Sequence, residues 1–364
     1  MTSDWAASGR RDTYELWAVD PFSLKDVSRV EFEPAQSSLT FAKDSETGAS
    51  APLRVWAESW SMAACDRLLR LKHVACVGDT ARAETVGTYF VRDPPATERF
   101  GRWAQDLACY STQLRYTEDV LDDDLYVAAG SKVLPVVAKL AEEVGGTVSV
   151  GLRAAEGDTG LRAAKLFRVG ESRAETMQAL LALVGCRMSA DEDGRTLIER
   201  DLVASVMEPC YEFEVGQGCV CESPAEWEQG SSGDWKNRVV AYWSRDSLPD
   251  PDDGMGYAGR VVVDLDRGHR HSYENTGRRA TQLLELTEPC TQAELAARAR
   301  KTLASLADHP RYVVLSHVGV PGLRVGRAVT LRRASGTWKC EVDQMEVDSL
   351  GPLMMTRTKL RVLE

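Results

Sequence analysis

The sequence predicts a mainly β protein with α/β insertions: two barrel- or sandwich-like β domains, a small α/β domain between them and one further helical element. Three observations predict this. Short apolar runs separated by turn residues fill the first and last thirds of the 364 residues. Helical periodicity is confined to three stretches, opening at Ser131, Ser172 and Thr291. The composition, 43% hydrophobic and 27% charged, is that of a globular chain, and the length suits two or three domains that each bury a core.

Residues 1–12 are small and polar and read as a flexible leader. Residues 13–119 form the first β domain, with TYELWAV, SSLTFAKD, PLRVWAE, LLRLKHVACV, TVGTYFV and WAQDLACYS as strands. Asp20-Pro21, the DSETG stretch and Asp93-Pro94-Pro95 supply the turns between them. Residues 120–203 read as a small α/β domain of two helices and a hairpin. Its first helix, Ser131 to Val144, places Val133, Val137, Leu140 and Val144 on one face, stops at Gly145-Gly146, and tolerates Pro135 only in its first turn. Its second, Ser172 to Val184, opens with a Ser172/Glu175 capping pair and carries Met177, Leu180, Leu181 and Val184 as a stripe. CRMSA and RTLIE then form a hairpin about Asp193-Gly194.

The β signal returns in 204–275 and 309–364, read as one second β domain. Residues 276–308 interrupt it as a helical insertion, capped by Thr291 and Glu294 with Leu295, Ala299, Leu303 and Leu306 on one face. No internal repeat of fixed period is evident.

Several function classes are disfavoured. The formal net charge of -11 lacks the Lys/Arg footprint that grips phosphates. The first residues show no apolar signal-peptide core, and no apolar run approaches the ~20 residues of a membrane helix. Nine irregularly spaced cysteines read as reduced thiols, packed as small hydrophobes.

Candidate chemistry is sparse. Gly254, Gly256 and Gly259 match the letters of a dinucleotide fingerprint, but an acidic loop precedes them and a strand follows, where that motif needs the reverse. Cys219 and Cys221, with His269 and His271, are the weak metal candidates. Residues two apart on a strand share a face, so each pair offers two ligands, yet neither spacing is the usual zinc one. The competing reading is half-buried strand cysteines and surface histidines near a turn. Asp122-Asp123-Asp124 and the Asp250–Asp253 cluster miss the EF-hand register and read as solvated turns. No nucleophile elbow, HExxH or P-loop is present, and His73, His309 and His317 sit in no recognisable catalytic context. Trp17, Trp56, Trp103, Trp243 and Trp338 read as core or interface anchors. No catalytic residue, cofactor or cofactor-binding residue is expected.

The order of motifs resembles a known family. The alanine-rich helix AELAARARKTLASL leads to the strand RYVVLSHV, then to Pro321-Gly322-Leu323-Arg324-Val325-Gly326, the strand AVTL and the end TRTKLRVLE. Upstream stand Thr13-Tyr14-Glu15-Leu16-Trp17, Gly87-Thr88-Tyr89-Phe90-Val91 before Pro94, Cys109-Tyr110-Ser111, and Asp122-Asp123 before Ala129-Gly130-Ser131. This succession, over roughly 13–364, is similar to the tail-tip or baseplate hub proteins of phages and prophages, also called tail-associated proteins. Arg327 stands where that family often has Asp.

The resemblance implies a non-enzymatic virion protein, assembled in the host bacterial cytoplasm. It would form a homotrimeric hub ring whose two tube-like domains per subunit match a hexameric tail tube. Such a ring closes the tail tube, lines the channel through which DNA is ejected and takes part in host attachment. Expected partners are further copies of the chain, a distal tail or tail tube protein, a tape measure protein, and fibre, spike or receptor-binding proteins. No sequence-specific nucleic acid is expected. The rival readings are a tail-associated peptidase or cell-wall hydrolase, and a carbohydrate-binding receptor module.

Overall fold

The computed structural model describes residues 9–43, 48–56, 68–92, 97–99, 102–158, 160–201, 206–214, 220–221, 226–229, 235–243, 259–286, 290–307, 311–333 and 336–363. The fold is mainly β. The first block contains β1 (Arg11–Val19), β2 (Asp26–Val30), β3 (Leu39–Ala42), β4 (Ala49–Trp56), β5 (Leu68–Val77), β6 (Thr80–Arg92), β7 (Thr97–Arg99) and β8 (Arg102–Ser111). Alternation drives it: in β1 the side chains of Tyr14, Leu16 and Ala18 are buried while those between them are more exposed. All six strands expected here form. The short β2 and β7 carry too few apolar residues to announce themselves.

The middle block contains α1 (Leu114–Thr117), β9 (Leu125–Val127), α2 (Val133–Glu142), β10 (Val148–Val150), α3 (Leu152–Gly157), β11 (Lys165–Phe167), α4 (Arg173–Leu183), β12 (Cys186–Ala190) and β13 (Thr196–Arg200). Pro135 lies in the first turn of α2, where its missing N–H costs nothing. The Ser172 side chain accepts from the Glu175 N–H at the start of α4. Val133, Val137 and Leu140 meet Met177, Leu180 and Leu181 in one core.

A repeat that the linear pattern concealed becomes visible here. β9, α2 and the turn at Gly145 correspond to β11, α4 and the turn at Gly185, forty positions later. Gly130 and Gly170 take φ of +82° and +85°, and Gly145 and Gly185 take +73° and +65°. β9 and β11 pair antiparallel with Tyr126 opposite Leu166, so a local two-fold axis passes between those residues. The flanking hydrogen bonds obey it. Gly130 N–H donates to Leu161 O and Gly170 N–H to Leu121 O, while Leu161 N–H donates to Ser131 O and Leu121 N–H to Glu171 O. The repeat escaped sequence reading because few identities are retained between the copies, chiefly Leu121/Leu161, Gly130/Gly170, Leu140/Leu180, Val144/Val184 and Gly145/Gly185, and these are scattered over forty positions.

The remainder contains β14 (Tyr211–Glu214), β15 (Glu226–Gln229), β16 (Arg238–Trp243), β17 (Arg260–Asp264), α5 (Tyr273–Thr276), β18 (Thr281–Leu286), α6 (Gln292–Leu306), β19 (Arg311–Val318), β20 (Ala328–Arg333), β21 (Gly336–Val347) and β22 (Met355–Val362). The Thr291/Glu294 capping box is present at α6. One difference from the sequence reading concerns the strands NRVVAYWS and GRVVVDLD. They do not join the C-terminal strands. β16 pairs β17 antiparallel and β18 in parallel, and this sheet packs its Val239 and Ala241 on Leu295, Ala299 and Leu303 of α6. A helix with so regular an apolar stripe needs a sheet face to cover, and β16–β18 provide it.

Among the described residues, the first block and the C-terminal strands share one sheet, in the order β15-β19-β22-β21-β3-β4-β8-β6-β5-β1-β2. β20 also pairs β21, and β14 runs parallel to β20. The PDPDD loop and the Gly254–Gly256 part of the glycine motif lie outside the described residues.

Two substitutions test this packing. Leu180 is fully buried between α2, α4 and the hairpin, so Leu180→Ala is expected to cost about 2–5 kcal/mol, measured by urea unfolding. At Gly87 a Cβ would lie 2.3 Å from the Tyr89 hydroxyl. Gly87→Ala is therefore expected to destabilise by about 1–3 kcal/mol through overpacking, read in the same assay.

Candidate functional site

The site that organises this molecule is the seam where its blocks meet. β21 makes the seam. Its first half pairs β20 from Glu341 to Gly336, and its last residues pair β3 from Gln344↔Ala42 to Val347↔Leu39. The change of partner falls at a register shift between Val342 and Gln344. A bulge bends a strand and re-aims its edge, so one strand serves two β blocks. Asp343, the extra residue, offers its carbonyl to Lys43 N–H at 3.1 Å.

The PGLRVG segment lies against this bulge. Gly326 N–H donates to Val342 O at 2.7 Å, and Val342 N–H donates to Arg327 O at 2.9 Å. Gly326 takes φ +78°, and a Cβ there would lie 3.0 Å from the Arg187 guanidinium. From this loop Arg324 pairs with Glu192, and Arg327 reaches Glu199 at 3.2 Å. Arg327, the departure from the family pattern, thus ties the loop to the β12–β13 hairpin of the middle block. A cavity of about 490 Å³ opens between the three blocks. Leu39, Val86, Met188, Leu323 and Met345 are among its walls. The Tyr89 hydroxyl beside it is buried without a hydrogen-bond partner among the described residues, and burial raises its pKa.

A buried ionic network closes the seam from the other side. Asp12 on β1 accepts from Arg10 Nε at 3.0 Å, from His73 Nε2 at 2.8 Å and from the Met354 N–H at 2.7 Å. Its own N–H donates to Pro352 O, and Arg10 Nη1 donates to Gly319 O at 2.8 Å. His73 Nδ1 faces Glu84 Oε1 at 3.2 Å, and its ring stacks on Tyr14 with centroids 5.4 Å apart. Two carboxylates at two ring nitrogens are satisfied together only by the imidazolium. Burial alone would lower the His73 pKa, but the hydrogen bonds its ring donates to Asp12 and Glu84 outweigh it and raise it. Burial would raise Asp12, and its bonds to His73, Met354 and Arg10 bring it below the usual carboxylate range.

His317 sits nearby in the opposite state. It is fully buried, and Nδ1–H donates to Val318 O at 2.8 Å, which leaves Nε2 to accept from the Thr358 hydroxyl at 2.8 Å. Burial, assisted by the charge of Arg10, lowers its pKa to about 4.

The weak metal candidates are not brought together. Cys219 lies outside the described residues. Cys221 is buried in the C-terminal β core, where its thiol donates to Ser316 O. His269 and His271 occupy a turn and not a strand. His271 Nδ1–H donates to Ala307 O at 2.8 Å and its ring stacks on Trp235 at 4.7 Å, while His269 Nδ1 accepts from the His271 N–H. Among the described residues no three His, Cys, Asp or Glu side chains form a metal-sized group. Asp124 accepts from Val169 N–H and from Arg168, which ties the segment before β9 to the one after β11. Trp17 and Trp56 are half-buried and Trp338 packs on the C-terminal core, whereas the side chains of Trp103 and Trp243 lie outside the description. Sequence reading missed the seam network. Its only linear trace is the charged pair Arg10 and Asp12 at the mouth of an apolar strand, and a histidine within a strand.

No family model matches the chain, and no curated relative does. Solved structures do. A tail protein from Neisseria meningitidis MC58 superposes with TM-score 0.65 over 96% of each chain at 11% identity. The 43 kDa tail protein of prophage MuSo2 from Shewanella oneidensis gives 0.60 over 96% of this chain and 98% of its own at 12% identity. The prophage tail protein gp18 from Listeria monocytogenes EGD-e gives 0.55 over 95% and 94% at 9% identity. The fold is therefore that of phage and prophage tail proteins. Two β blocks joined in one sheet, with an α/β block and a helix-covered sheet beside them, are the form it takes here.

The seam makes two measurable predictions. Asp12→Ala strands Arg10 and the His73 imidazolium in the interior, and is expected to cost about 3–5 kcal/mol in equilibrium unfolding. The two histidines have opposite pH signatures. His317, depressed from 6.5 to about 4, contributes stability present above pH 6.5 and lost as pH falls towards 4, on the order of 3 kcal/mol. His73, raised above 6.5, contributes stability present below pH 6.5 and lost as pH rises through its folded value. NMR titration of the imidazole protons is expected to show one ring titrating on each side of 6.5.

Proposed function

We propose that this chain is a non-enzymatic structural subunit of a phage or prophage tail tip, where it forms a hub ring. Three copies close the end of the tail tube, line the channel for DNA ejection and dock fibre, spike or receptor-binding proteins below. The distal tail or tail tube protein and the tape measure protein are its expected neighbours, and the virion is its place after assembly in the bacterial cytoplasm. Among the described residues no helix is long and apolar enough to cross a membrane.

One observation carries this reading: among the described residues the branched shared sheet ends in strands with a single neighbour, β2, β7, β14 and β15. β2 pairs only with β1, and β15 only with β19, among the described residues. Unpaired edges invite pairing with another chain, and two different edges on one subunit suit the heterologous contacts from which closed rings are built. Two β blocks fused through β21 give each subunit two tube-like units, so three subunits present six positions to a six-fold tube. The three tail proteins superpose on this chain over nearly their whole length, which supports the tail reading. The net charge of -11 fits a lumen that repels DNA phosphates and lets the genome slide.

The mass of the purified chain and of the ring in assembled particles tests the proposal. A trimer is expected in the particle, and a strict monomer there overturns the reading. The lumen potential of the assembled ring is a separate check: a strongly basic lining would remove the proposed part played by the acidic charge.

A further inference from the structure

The middle block carries an apolar face that stays exposed among the described residues. In the two-stranded ribbon of β9 and β11, Leu125, Val127 and Phe167 pack inward on the middle core. Tyr126 and Leu166, cross-strand partners, point outward with 66% and 47% exposure. Val169 at 59% and Val120 at 47% extend the patch through the Val169 N–H to Asp124 hydrogen bond and the Val120–Ser172 bridge. Single exposed apolar residues need no explanation, but a contiguous group does. Exposed Asp122 and Asp123 border it, beside Asp124 with its Arg168 partner.

A complementary surface lies elsewhere on the same chain. In the turn 267–279, Arg267, Arg270, Arg278 and Arg279 are exposed around Tyr273, which is itself 48% exposed. Among the residues of this turn and its entry the acidic ones are Asp266 and Glu274, and Glu274 is paired with Arg267 at 3.4 Å. The guanidiniums of Arg279 and Arg278 lie over Tyr273 at 4.9 Å and Trp235 at 4.8 Å, which holds them ready for carboxylates.

The placement of the two surfaces decides who can meet whom. The local two-fold puts Arg162 and Asp122 at opposite ends of the ribbon. Arg162 binds Glu294 in the first turn of α6 at 2.8 Å. The arginine-rich turn sits at the other end of that helix, where His271 binds Ala307 O. A helix of 15 residues spans about 22 Å. The acidic-apolar and basic-aromatic surfaces therefore stand at the two ends of one line of contacts that runs through the ribbon and along α6.

We propose that the outer face of the β9–β11 ribbon, with Asp122 and Asp123, docks on the 267–279 turn of a second copy of this chain. The contact is head-to-tail, the heterologous kind that closes rings. This rests on the ring reading above and names where neighbouring subunits touch outside the shared sheet. Opposite charges around apolar anchors would set register and steer assembly.

Charge exchange in the full-length chain tests it, with association followed by analytical ultracentrifugation at several salt concentrations. Asp122→Lys with Asp123→Lys, and separately Arg278→Glu with Arg279→Glu, are each expected to weaken association about tenfold or more. Carrying all four changes in one chain is expected to restore it, because every interface regains opposite charges. The replaced side chains are exposed, so circular dichroism and the unfolding midpoint should stay at wild-type values. A wild-type trimer that both double variants leave unchanged overturns this inference and leaves the ring standing. Loss in both variants without recovery in the fourfold variant also overturns it, since the two surfaces then meet something other than each other. A wild-type chain that is monomeric at all concentrations and in particles overturns both readings.

Discussion

A carboxylate can be withdrawn from water only where enough donors converge on it. Asp12 is such a carboxylate, and its donors come from distant parts of the chain: Arg10 beside it, His73 on β5 and the backbone of Met354 just before β22. Removing any donor leaves buried charge uncompensated. The first β block and the C-terminal strands are thus held in one mutual position, not merely packed together. The core shows the same union, since Val347, Leu350 and Met354 belong to the hydrophobic cluster of the first block.

The bulge in β21 and the PGLRVGR loop extend that constraint to the third block. The loop presses its backbone on the bulge and sends two arginines to the hairpin of the middle block. A residue that departs from the family pattern, Arg327, proves to be an inter-block tether. Three blocks locked at one seam, with end strands that have a single neighbour among the described residues, are the features on which the proposed load-bearing role rests. That is the physical content of the hub proposal.

Much of the local structure was legible in the residues. The Thr291/Glu294 capping box, Pro135 in a first helical turn, the Ser172 cap and the hairpin about Asp193-Gly194 each follow from short-range chemistry. The duplication in the middle block was not legible, because a forty-residue repeat that keeps a handful of scattered leucine, valine and glycine identities leaves few letters in common. The home of β16 and β17 was not legible either. Their apolar alternation says that one face is covered, but not whether a helix or another sheet covers it. The candidate metal pairs illustrate the same limit, since His269 and His271 are two apart in a turn, where spacing carries no information about a shared face.

By itself the sequence determined the type of the longer strands and of the three longest helices, and about where those helices begin and end. These depend on neighbours a few positions away, so the letters record them directly. The tertiary structure alone decided that β21 serves two blocks, that Asp12 and His73 meet Met354 and Glu84, and that the Tyr126 face and the Arg278 turn lie at opposite ends of one line of contacts. Those facts depend on which distant groups satisfy one another's buried charges and strand edges, and no local pattern encodes that choice.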